Sequence, residues 1–142
     1  MDSSTAAGRP PSSFAGSHME RTRFIEHRGR RILHLDYTGL GADMDQVREE
    51  MLKSKAVIAG EPPGSVLIMT DVRNARITPA AVKMMQELVK HNAPFVKWSA
   101  VVVGLTGVAL TAFRATQALS RRRNMRSFSN DAEAREWLVS QP

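Results

Sequence analysis

No cysteine occurs in the 142 residues, which excludes a disulfide framework and any site built on thiolate ligands. Aromatics are scarce, at 6%, and no row of them alternates with arginine as single-stranded nucleic acid would need. The longest apolar run, "SAVVVGLTGVAL" from Ser99 to Leu110, is short of the roughly 18 residues that suggest a membrane span. No cationic leader precedes a long apolar stretch, so no secretory signal is expected, and a cytoplasmic location is. Acidic residues number 14 against 20 lysines and arginines, leaving a net charge of +6 that favours an anionic partner.

What is present suits one globular domain, since 42% of the residues are hydrophobic. The opening "MDSSTAAGRPPSSFAGSHM" does not belong to it. Rich in Ser, Ala, Gly and Pro, these residues cannot bury enough apolar surface to offset their own ordering. "GSHM" at Gly16 to Met19 reads as a vector junction, so residues 1–19 are expected to be a disordered tail or expression scar and residues 20–142 the domain.

Within the domain two periodicities alternate. "TRFIEHRGRRILHLDYTG" is a hairpin around Arg28-Gly29-Arg30, with Leu33, Leu35 and Tyr37 alternating against Ile32, His34 and Asp36. "DMDQVREEMLKSKAVIAG" carries a helical stripe of Met44, Val47, Met51 and Ile58, with Asp43 and Gln46 at capping-box spacing. Gly60 and Pro62-Pro63-Gly64 stop it. "SVLIMTD" and "WSAVVVG" read as interior strands. Between them, "ITPAAVKMMQELVKHNAP" is a helix capped by Thr78 before Pro79, with Val82, Met85 and Val89 facing inward. "TGVALTAFRATQALS" reads as a third helix and "MRSFS" as a last strand. "NDAEAREWLVS" closes the fold as a helix capped by Asn130, with Trp137 anchoring it beside Ala134 and Leu138. The order is ββαβαβαβα, an α/β domain whose five-stranded sheet is mixed but mostly parallel and carries four helices.

No constellation of residues marks a catalyst. Asp36 and Asp71 each end a strand that should run parallel to the other, where carboxylates would suit a metal or a phosphoryl acceptor, yet no lysine ends a later strand. The plainer reading has both accepting from loop amides. "GLTG" at Gly104 to Gly107 lacks the Gly-Lys-Ser/Thr ending of a phosphate loop and reads as a strand-to-helix turn capped by Thr106. The four histidines have no metal-ligand spacing. Neither a cofactor nor a metal is expected. Arg121, Arg122, Arg123 and Arg126 form either a solvated helix end or an anion-binding patch. Among the eight methionines, Met51, Met69, Met84 and Met85 are either core or the lining of a lipophilic pocket.

In this order of elements, "GRRILHLDYTGL", "SVLIMTDVRN", "AVVVGLTG" and the closing "FSNDAEAREWL" resemble the STAS-domain superfamily, in its SpoIIAA-like group of small bacterial proteins. The resemblance spans about residues 20–141 and implies a non-enzymatic domain. Relatives in that superfamily are switched by phosphorylation of a Ser or Thr directly after the Asp that ends the third strand. Here Asp71 holds that place but Val72 follows it, so the switch is not expected. The expectation is a regulatory module that binds a protein partner or forms a homodimer. Its surface would comprise Asp71, Val72, Arg73, Asn74, Arg76 and Ile77 with the following helix. The alternative, by similarity to CRAL-TRIO domains, is a carrier for a lipophilic ligand, and the weaker one an enzyme using Asp36 and Asp71. Specific nucleic-acid binding and a transmembrane segment are not expected.

Overall fold

Arg28 and Gly29 both have positive φ, 51° and 78°. That is the backbone of a two-residue turn whose twist matches its flanking strands. It joins β1 (Thr22–His27) to β2 (Arg30–Asp36) in antiparallel register from Thr22↔Leu35 to His27↔Arg30. The computed structural model describes residues 20–76, 78–104 and 124–142.

Each described helix begins where its capping residue stands. The Asp43 carboxylate accepts from the N–H groups of Asp45 (2.9 Å) and Gln46 (3.4 Å) to start α1 (Met44–Ala59). Thr78 Oγ1 accepts from Ala81 N (3.1 Å) at the head of α2 (Pro79–Asn92). Asn130 Oδ1 accepts from Glu133 N (2.9 Å) before α3 (Asp131–Ser140). The remaining strands are β3 (Val66–Asp71), buried along its whole length, β4 (Val96–Val102) and β5 (Met125–Phe128). The helix expected between β4 and β5, and the tail at residues 1–19, lie outside the described residues.

The five strands are ordered β1-β2-β3-β4-β5, with every pair after the hairpin parallel. Stepping across a sheet in one direction by right-handed crossovers places the connecting helices on one face. Accordingly α1 and α2 share a core with Leu33, Leu35, Tyr37, Val66, Ile68 and Val101. Helix α3 belongs to no crossover between described strands and covers the other face. There Ala134 and Leu138 meet Ile32, Leu67, Met69, Ala100 and Val102.

Three details differ from the sequence reading. The buried stripe of α2 centres on Leu88 and Asn92, leaving Val82, Met85 and Val89 half-buried. In α1 the stripe includes the polar Glu50 and Ser54. Ser54 Oγ donates to Glu50 O (3.0 Å), so its one proton is used, and the hydroxyls of Tyr37 (2.6 Å) and Thr22 (3.0 Å) donate to it in turn. Burial raises the Tyr37 phenol to about 12 and keeps it a donor. Trp137 is half-buried, its ring edge-on to Trp98 at 5.7 Å and tilted on Phe128 at 5.5 Å, while Ala134 and Leu138 are the residues fully enclosed.

Candidate functional site

Parallel strands end together, and their carboxyl ends here bring two acids side by side: the register pairs Asp36 with Asp71. Alternation along a strand sets the face. Asp71 follows Met69 at a spacing of two, and Asp36 likewise follows His34 and Ile32, so both lie on the face covered by α3.

Each acid is already engaged. The Asp71 side chain, only 4% exposed, is held by a guanidinium fork from Arg73: Nε to Oδ1 at 3.0 Å and a terminal nitrogen to Oδ2 at 2.6 Å. The Arg73 backbone N–H adds a bond to Oδ1 (3.1 Å). Hydrogen bonding to Asp71 raises the Arg73 guanidinium pKa further still. Asp36 accepts from both the hydroxyl (2.5 Å) and the N–H (3.0 Å) of Thr38, with Arg21 at 3.7 Å. Partial burial pushes the Asp36 carboxyl up, but these bonds outweigh it and hold it below the usual range. Both oxygens of Asp71 are thus engaged, whereas on Asp36 the bonds gather on Oδ1 alone. Among the described residues no cluster of His, Asp and Glu is placed to hold a metal ion.

The loops behind these acids interlock. Tyr37 N donates to Asp71 O (2.8 Å), Gly39 N to Arg73 O (3.1 Å), and Arg76 N to Leu40 O (2.7 Å). Gly41, at φ +115°, lies so close that a Cβ there would sit 2.6 Å from Arg76 Cβ and 2.7 Å from Arg76 O. Gly104, at φ +54°, leaves room for the Arg73 side chain, whose Cγ a Cβ would approach to 2.8 Å. Gly41→Ala should therefore destabilise the protein by about 1–3 kcal/mol through backbone strain and displacement of the Arg76 loop, read as a fall in the urea midpoint. Gly39→Ala, at φ +72° but in open space, should cost less.

The expected partner surface divides in two. Asp71 and Val72 are buried, at 3% and 2% exposure, and so cannot present side chains to a partner; they form the base of the loop. Arg73 is half-buried, whereas Asn74 (φ 60°) and Arg76 are exposed. Ile77 lies outside the described residues, as do Arg121, Arg122 and Arg123 of the arginine run. Arg126 is exposed on β5, its guanidinium 5.5 Å from the Phe128 ring centroid. The four methionines do not line one pocket. Met51, Met84 and Met85 pack on the α1 and α2 side, and Met69 is fully buried on the opposite side of the sheet. Thr70 is buried and Thr78 caps α2, so neither hydroxyl is presented in the loop.

Sequence reasoning missed His34 and Arg135. His34 is 8% exposed, and neither ring nitrogen has a hydrogen-bond partner among the described residues; Arg135 Nε is likewise buried without one. The available signal was the placement of His34 in an alternating strand, on the same side as Ile32. No described helix is long and apolar enough to cross a membrane. Compared with protein-family models, with curated proteins and with solved structures, the chain matches none.

Proposed function

We propose that this protein is a non-catalytic interaction module of the STAS type, acting through the loop at residues 73–76 and the exposed side of α2. The observation that carries this reading is the commitment of both strand-end carboxylates to internal partners, Asp71 to Arg73 and Asp36 to Thr38. Bonded in this way, the two acids brace the loops that follow β2 and β3. The loop they organise is tied down by backbone bonds and offers Asn74 and Arg76 to solvent. A preorganised loop loses little entropy on binding. The hairpin followed by parallel βα units supports the STAS resemblance. Val72 after Asp71, apolar and buried, supports a module without the phosphorylation switch.

The occupant in this reading is a second copy of the chain, or a protein whose surface offers a carboxylate to Arg76. Native mass spectrometry of freshly purified protein tests it. A ligand-free dimer that Arg76→Glu converts to monomer is the expected result. A co-purified apolar mass would favour the lipophilic carrier instead, and a dimer indifferent to Arg76→Glu would remove the loop from the interface.

A further inference from the structure

Helix α3 packs on β2 to β5, but its side-chain hydrogen bonds to strands gather in its later half. It has ten residues, of which only Ala134 and Leu138 are buried. Its last turn is clipped by the β1–β2 hairpin. His27 Nε2 lies 2.6 Å from Glu136 Oε2, Arg28 Nε donates to the same oxygen (2.8 Å), and Arg30 donates to the carbonyls of Val139 (3.2 Å) and Gln141 (2.7 Å). Its first turns have no such clip to the sheet among the described residues. There Arg135 uses one terminal nitrogen on Asp131 of its own helix (2.7 Å) and buries Nε without a partner. On the strand face beneath lies His34, enclosed, with neither nitrogen partnered among the described residues.

The charges facing His34 come from every neighbouring element. Arg23 is its cross-strand partner on β1, Asp36 lies two residues along β2, Asp71 ends β3, and Arg135 comes from α3. Arg73 and Asp131 stand behind them, paired to Asp71 and Arg135 respectively. The two carboxylates are the groups that would welcome an imidazolium, but neither lies within hydrogen-bond distance of the ring; Asp71 is held in its fork and Asp36 is turned to Thr38 through Oδ1. The neutral ring fits this enclosure, whereas the charged one would have neither water nor a carboxylate in hydrogen-bond contact.

We infer that α3 is an acid-released strap: protonation of His34 loosens its first turns from the sheet and uncovers the apolar strip of Leu67, Met69, Ala100 and Val102. With the strap in place, burial chiefly, and the Arg23 charge next, hold the imidazole below its ordinary value; Asp36 and Asp71 oppose this and Arg135 adds to it. With the strap released, the ring is hydrated and regains that ordinary value, about 6.5. The strapped state thus binds fewer protons, and lowering the pH below about 6.5 favours release, by up to about tenfold in the equilibrium per pH unit, until the strapped-state value is passed. At the clip, hydrogen bonding to Arg28 first and His27 next holds the Glu136 carboxyl below the usual range, so it stays ionised while His34 titrates.

Both tryptophans of the chain, Trp98 and Trp137, meet at this contact, so their fluorescence reports on it. The experiment titrates the full chain from pH 8 to pH 5 and follows tryptophan emission together with hydrogen exchange of the α3 amides. The expected result is a red shift and a loss of α3 protection of about tenfold or more below pH 6.5, with β3 and β4 still protected. His34→Leu, which fills the site with an apolar group, should fold and show no such transition, and His27→Gln should keep it. Protection of α3 unchanged down to pH 5 would overturn the inference. So would an identical loss in His34→Leu, or simultaneous loss in β3 and β4.

Discussion

Leu138→Ala should destabilise the docking of α3 by about 2–5 kcal/mol, the usual range for truncating an enclosed leucine. Leu138 is fully buried against the sheet, and with Ala134 it accounts for all that α3 encloses completely. The cost should appear first as local opening, because Leu138 and Ala134 are the two buried residues through which α3 docks. Hydrogen exchange at the α3 amides should rise steeply while the β3 amides respond only through the change in global stability. Trp137→Ala should cost less, since its ring is only partly buried, edge-on to Trp98 and tilted on Phe128. Equal losses for the two substitutions would mean that the aromatic cluster carries the docking.

Arg73→Ala should lower global stability by about 2–4 kcal/mol, measured by urea denaturation. Removing one member of a buried pair leaves the other as an uncompensated charge, which typically costs about 3–5 kcal/mol. The value here should fall toward the lower end: the Arg73 side chain is 36% exposed, and its backbone N–H still donates to Asp71 Oδ1 after truncation. Arg73→Lys should recover only part of the loss, because an ammonium cannot reproduce the planar fork. Adding Asp71→Asn to Arg73→Ala should restore stability relative to Arg73→Ala alone, because it removes the stranded charge. An Arg73→Ala protein as stable as its parent would make the fork dispensable, and with it the rigid loop on which the proposed surface rests.

These two sites differ in how far the sequence foretold them. The helix starts were legible at Asp43, Thr78 and Asn130, because a cap is a bond between residues two or three positions apart. The hairpin turn at Arg28-Gly29 was legible for the same reason, and so was the alternation that separates Leu33 and Leu35 from Ile32 and His34. The Asp71–Arg73 fork was within reach too, since it spans two positions, and an arginine just past a strand-end aspartate was its signal. Arrangements that join distant segments were not legible. Met51 and Met69 read alike as apolar residues in regular elements, but the sheet lies between them. Arg30 carries no mark that it closes the end of a helix 109 and 111 residues away. The enclosure of His34 depends on α3 returning to the face that the crossover helices leave open. Local hydrogen bonds and periodicity are written in neighbouring residues; which face an element finally covers follows from strand order and crossover hand, which belong to the whole chain.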